Sequence, residues 1–241
     1  MKTVRLRAGS VNGVVDNMGG HGSSRTSDLL FGTVCNFARK NLRFHKATTG
    51  DLPLAYTERS LQSILLSSIS DTGAVVFSER PVRRKYRGQS ESYGWVDLWA
   101  YSRQVTYMIE TKHHGVSWKS GTLNGTASAM WRDAVKKLKA ITWESLKECT
   151  YGSAGICKVA LLTLRVWQSS TNLERLQVAD AHDLCDLGRD LALSLSPKAT
   201  WSVVWTLSRH LQKPVIWFDE KYISYPGVLF LAWVDGPHQH S

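Results

Sequence analysis

The stretch GWVDLWAYSRQVTYMIETKHH, Gly94 to His114, decides how this chain is read. Gly94–Tyr101 and Val105–Lys112 are rich in Trp, Val, Tyr and Ile, and Ser102-Arg103-Gln104 separates them, so the stretch reads as a β-hairpin. Neither Asn-Gly nor Asp-Gly marks the turn, which leaves its type open. Side chains alternate along a strand, so Glu110 and Lys112 share a face with Met108 and Thr106. A turn centred on Ser102-Arg103 sets Asp97 opposite Met108 and diagonal to Glu110, with side chains roughly 7–8 Å apart or somewhat less. Two carboxylates so placed can converge on one cation. Val96, Leu98 and Ala100 with Val105, Tyr107 and Ile109 make the other face apolar. A slip of one residue would put Asp97 among them, so the pattern selects its own register.

Two carboxylates and a lysine are the minimum set for holding Mg²⁺ against a phosphodiester and activating a water. The arrangement Asp97-x12-Glu110-x-Lys112 resembles the core motif of the PD-(D/E)XK nuclease superfamily. The Glu and Lys positions match, while Val96 stands where the family's name has proline. The resemblance implies an α/β restriction-endonuclease-like fold, a mixed central β-sheet flanked by helices, with its core motif region over residues 53–167. It further implies a hydrolase, a Mg²⁺-dependent nuclease acting on DNA phosphodiester bonds as an endonuclease on double-stranded DNA, with Mn²⁺ able to substitute. Many such nucleases cut as dimers, so a homodimer is also in view, although no dimerisation motif is visible.

In that reading Asp97 and Glu110, with the Thr111 carbonyl, hold the metal, since hard cations prefer oxygen ligands. Lys112 orients or helps deprotonate the attacking water and pairs with the phosphate. Glu58 interrupts an apolar helical stripe, Leu54, Leu61, Leu65 and Ile69, and has two readings. It either exploits the helix dipole near the N-terminal turn, or supplies a further carboxylate as a metal ligand and catalytic group. Superfamily members often carry a glutamate on this helix. Glu79, on the first strand of the sheet, is a rival acid.

Positive charge extends beyond the motif. Thirty Lys and Arg against twenty Asp and Glu give a net charge of +10, which favours a polyanionic partner. Arg83, Arg84, Lys85 and Arg87 surround Tyr86, a composition suited to phosphate contact and base stacking, or to an ordinary solvated loop. His113 and His114 point apart on a strand and do not suit one zinc. They read as loop or groove-edge groups, His113 with a part in phosphate contact. The Gly19-Gly20-His21-Gly22 cluster lacks the Lys-Ser/Thr ending of a phosphate-binding loop.

At 241 residues and 43% hydrophobic content the chain can bury a sizeable core. We expect a flexible segment over 1–26, one α/β domain over 27–237 and a flexible tail over 238–241. Helices are expected over 27–44, 53–69 and 127–148 and around Leu173–Leu191, with strands over 74–82, 94–101, 105–112, 158–167, 200–207 and 228–234. Four scattered cysteines (Cys35, Cys149, Cys157, Cys185) read as reduced thiols of a cytoplasmic protein. No secretory signal or membrane span is expected. Two other readings compete with the nuclease. One is a nuclease-like module that binds nucleic acid without turnover, and the other is an α/β protein whose acidic cluster is structural.

Overall fold

A computed structural model describes residues 3–8, 10–16, 24–48, 58–150, 152, 155–176, 179–212, 215–216 and 221–238. In chain order the elements are β1 (Thr3–Ala8), β2 (Val11–Asp16), α1 (Ser24–Ala47), α2 (Glu58–Ser70), β3 (Val75–Arg84), β4 (Ser92–Ser102) and β5 (Val105–Ser117). There follow α3 (Gly125–Lys139), α4 (Trp143–Glu148), β6 (Gly155–Ser170), α5 (Ala181–Ser194), β7 (Trp201–Thr206), β8 (Val215–Ile216) and β9 (Tyr222–His238). Among the described residues the nine strands make one sheet in the order β1-β2-β7-β9-β6-β5-β4-β3, with β8 attached to β9. Among the described strands β5 and β6 pair in parallel and the other pairs are antiparallel, so the sheet is mixed.

Helices cover both faces because the chain supplies an apolar stripe for each. On one face Leu29, Leu30, Val34 and Phe37 of α1 pack with Leu61, Leu65 and Ile69 of α2 against Leu98, Tyr107 and Ile109. On the other, Trp131, Ala134 and Leu138 of α3, Leu146 of α4 and Leu184 and Leu191 of α5 meet Met108, Ala160 and Leu162. With a core on each side, β6 is buried almost throughout, as its unbroken apolar sequence predicts. The α/β layering expected from sequence is present. No described helix is long and apolar enough to cross a membrane.

Several boundaries differ from expectation, each for a local reason. Much of the segment expected to be flexible over 1–26 is instead the β1–β2 hairpin, which extends the sheet beyond β7, while residues 17–23 lie outside the described residues. The expected 127–148 helix is two, because the Thr142 hydroxyl accepts from Ser145 N–H and caps a new start. The break is used. Lys85 N–H donates to Ala140 O and Thr142 N–H to Arg83 O, which closes off part of the β3 edge. The Leu173–Leu191 helix is a short 3₁₀ turn at Leu173–Arg175 followed by α5, whose Asp180 cap accepts from the N–H groups of His182 and Asp183. Of the expected tail, His238 ends β9 and residues 239–241 lie outside the described residues. All four cysteines are free.

Candidate active site

The site is built from the β4–β5 turn. Arg103 and Gln104 both adopt positive φ, 49° and 65°, as a two-residue primed hairpin turn requires. Arg103 is held there by Asp28 of α1, at 2.9 Å, and its carbonyl accepts from Arg25. Centring the turn on Arg103-Gln104 rather than Ser102-Arg103 pairs Ser102 with Val105 and Leu98 with Ile109. Continued one step past its last pair, that register sets Asp97 opposite Glu110, not Met108. This shifts the expected partner by two positions and so keeps the strand's parity.

Regular pairing of β4 with β5 stops at Leu98–Ile109, and Asp97 explains why. Its Oδ2 accepts from the Thr111 N–H at 2.7 Å and from the Thr111 hydroxyl at 3.2 Å, so a carboxylate takes the place of a main-chain acceptor. Here the two strands part, and β4 turns over. Leu98 packs on the α1–α2 side, while Val96 packs on the α3–α4 side with Val82 and Met108. The expectation that Val96, Leu98 and Ala100 share a face is thus corrected at Val96. The neighbouring strand turns with it. Glu79 has φ 59°, yet the β3–β4 register is unchanged on either side, from Ser78–Leu98 to Arg80–Val96. Glu79 itself is exposed.

Lys112 Nζ lies 3.9 Å from Asp97 Oδ2. Glu110 is 1% exposed and bonds to Arg84 Nη2 at 2.5 Å. Burial and then the Asp97 charge push the Glu110 carboxyl up to about 7, and Arg84, Lys112 and Lys137 pull the other way without cancelling them. A buried acid whose proton affinity is raised by a neighbouring carboxylate's charge marks a site that favours a cation. Both are hard oxygen donors, which suit Mg²⁺, a cation that needs few protein ligands because it keeps several waters. Among the described residues no three or more His, Cys, Asp and Glu side chains gather as a metal cluster. Glu58 opens α2, and its side chain lies outside the described residues. One turn on, Leu61, Gln62 and Leu65 line a small pocket with Thr111, Lys112 and His113, so α2 does reach the site.

The expected phosphate-contacting cations divide. Arg83 and Arg84 lie within β3 rather than in a loop, and alternation sends them to opposite sides. Arg84, 6% exposed, is corrected from a nucleic-acid contact to the inward partner of Glu110, and also donates to Trp95 O. Its guanidinium fits because residue 94 is glycine: a Cβ there would sit 2.6 Å from Nη1. Arg83 pairs with Glu148 while staying partly exposed, and Lys85 and Arg87 are exposed. His113 is only partly exposed, and burial followed by Arg165 holds its imidazole down at about 4, so near pH 7 it is neutral and brings no charge to a phosphate. The sequence reading missed Lys137. It stands on α3, 2.9 Å from Asp133, and its charge is felt at Glu110. Its place in a basic helical run offered no signal that it, rather than Lys136 or Lys139, turns toward the acids.

The two shifted groups make a prediction about stability without metal. Glu110 binds its proton more tightly folded than unfolded, so its contribution falls as pH rises from about 4.5 to about 7. His113 binds its proton less tightly folded, so its contribution rises with pH between about 4 and about 6.5. Where the windows overlap the slopes oppose, each at most roughly 1.4 kcal/mol per pH unit. Glu110→Gln should unmask the histidine, and its urea-unfolding free energy should climb from pH 4.5 to 6.5 more steeply than the wild-type value. Parallel curves for the two proteins would show that Glu110 is not shifted.

No protein-family model matches the chain, and comparisons with curated proteins and with solved structures find no match either. The chemistry of the Asp97–Glu110–Lys112 cluster is what bears on function.

Proposed function

We propose that the chain is a Mg²⁺-dependent nuclease of the PD-(D/E)XK type that hydrolyses phosphodiester bonds in DNA as an endonuclease. The observation that carries this reading is the meeting of Asp97, Glu110 and Lys112 at the point where β4 parts from β5. The surrounding order supports it. The helix α2, the antiparallel β3–β4–β5 meander, α3, and β6 parallel to β5 follow one another as the restriction-endonuclease-like core would.

Each group has a role. The Thr111 N–H fixes the direction of the Asp97 carboxylate, which together with Glu110 and the Thr111 carbonyl would hold the cation. When bound, Mg²⁺ supplies charge neutralisation on the phosphate and a water of lowered pKa. Glu110 must give up its proton to serve as a ligand, and Lys112 and Lys137 favour that loss. The Lys112 amine orients the attacking water and pairs with a phosphate oxygen.

One observation favours a second reading, binding without turnover: the Arg84 guanidinium already occupies one oxygen of Glu110. A direct test incubates the purified protein with supercoiled plasmid, linear duplex, single-stranded DNA and RNA, with Mg²⁺, Mn²⁺ or chelator. Metal-dependent cleavage of DNA supports the nuclease. Salt-sensitive binding with no cleavage on any substrate would replace it with the binding module.

A further inference from the structure

Beyond the bend at Asp97, no described element covers one face of the far ends of β3 and β4. Tyr93 is 85% exposed and Trp95 60% exposed, while Val82 and Val96 of the same strand pair are buried on the other side. Tyr93 and Trp95 are two residues apart on β4, so their rings share a face at a spacing of roughly 7 Å. Their cross-strand neighbours are Arg83 and the exposed Pro81. Trp95 is in turn two residues from Asp97. A tyrosine, a tryptophan and the candidate metal-binding carboxylate therefore follow one another at equal steps along one strand.

Rings this open bury little, so their contribution to the fold is small. A proline on the edge strand β3 also argues against extension of the sheet by another chain. Charge points to the occupant. Lys85 and Arg87 are exposed just beyond β3 and Arg83 is partly exposed, against the acids Glu91 and Glu148, the latter already paired with Arg83. Aromatic rings flanked by cations stack on bases while the cations track the phosphates. Stacking needs an open base face, which a duplex covers with neighbouring pairs.

Resting on the nuclease reading, we propose that Tyr93 and Trp95 form a stacking platform for single-stranded nucleic acid. It holds two successive bases and leads the next phosphate toward Asp97 and Lys112. The substrate class is thus a single strand or a single-stranded segment at a duplex end, rather than intact duplex.

The experiment measures anisotropy of labelled oligothymidylate of about 12 nucleotides, and of a duplex of equal length, with chelator present at fixed salt. Tyr93→Ala and Trp95→Ala should each weaken single-strand binding about tenfold, and the double variant about a hundredfold. Duplex binding should change less than about twofold, and Tyr93→Phe and Trp95→Phe should keep most single-strand affinity, since a ring remains. Tyr93→Ser, at the more exposed position, repeats the test should Trp95→Ala disturb folding in thermal melts. No single-strand binding by wild type, or equal losses on both oligonucleotides, would overturn the platform. Ring-dependent binding with no cleavage in the plasmid and oligonucleotide assays would leave the platform standing and remove the nuclease. Cleavage that ignores both rings would do the reverse.

Discussion

Asp97→Asn should reduce DNA cleavage to background, and Lys112→Ala should lower turnover about 10²-fold or more. The first substitution keeps an oxygen that can accept from the Thr111 N–H, so the parted strands should hold their shape while the charge that binds a cation is lost. The second removes an amine 3.9 Å from Asp97 on a side chain that is only 16% exposed, so a thermal melt of the variant must accompany its rate. In both variants affinity for nucleic acid should change little, because exposed cations elsewhere supply most phosphate contacts. Single-turnover cleavage and anisotropy on the same preparations separate chemistry from binding. Lys112→Ala cleaving at the wild-type rate would remove the lysine from the mechanism.

Arg84→Met should give the largest loss of stability, about 3 kcal/mol in the presence of chelator. Arg84 and Glu110 are both buried. Removing the guanidinium leaves Glu110 either charged without its partner beside Asp97 or forced to take up a proton, which costs stability above about pH 7. For a domain of this size the melting temperature should fall by roughly 10 °C. Methionine fills most of the volume and needs no partner, so the loss reports charge more than packing. Added Mg²⁺ should then restore a large part of the melting temperature in the variant and little in wild type, because the carboxylates freed of Arg84 bind the cation more tightly. Equal Mg²⁺ responses in the two proteins would mean that Arg84 and the cation do not compete for Glu110, and would favour a purely structural ion pair.

How much of this was legible in the sequence depended on whether a residue follows the regular rules of its element. Period-two alternation identified β4 and β5, and period 3.6 identified the buried stripes Leu61–Leu65–Ile69 and Trp131–Ala134–Leu138. The proximity of Asp97, Glu110 and Lys112 followed from the hairpin alone. The register did not, because Arg103 and Gln104 take positive φ without the usual Asn or Gly, held by Asp28 and Arg25, some 75 residues away in sequence. The reversal of β4 at Asp97 was hidden for a similar reason: a side chain replaces a main-chain hydrogen bond, and alternation rules assume an unbroken ladder. Arg84 looked like a member of a solvated basic run until β3 proved long enough to turn it inward against Gly94. Charge runs show composition, whereas strand ends decide which charges meet water.

The central claim is that Asp97 and Glu110 hold one divalent cation between them. Calorimetric titration of Mg²⁺ or Mn²⁺ into the purified protein near pH 8, where Glu110 is ionised, tests it most directly. We expect saturable binding in the wild-type protein, lost in Asp97→Asn and in Glu110→Gln alike, and weakening below about pH 7 as protons compete for Glu110. Absence of binding in the wild-type protein, or binding that survives both substitutions, would contradict the account.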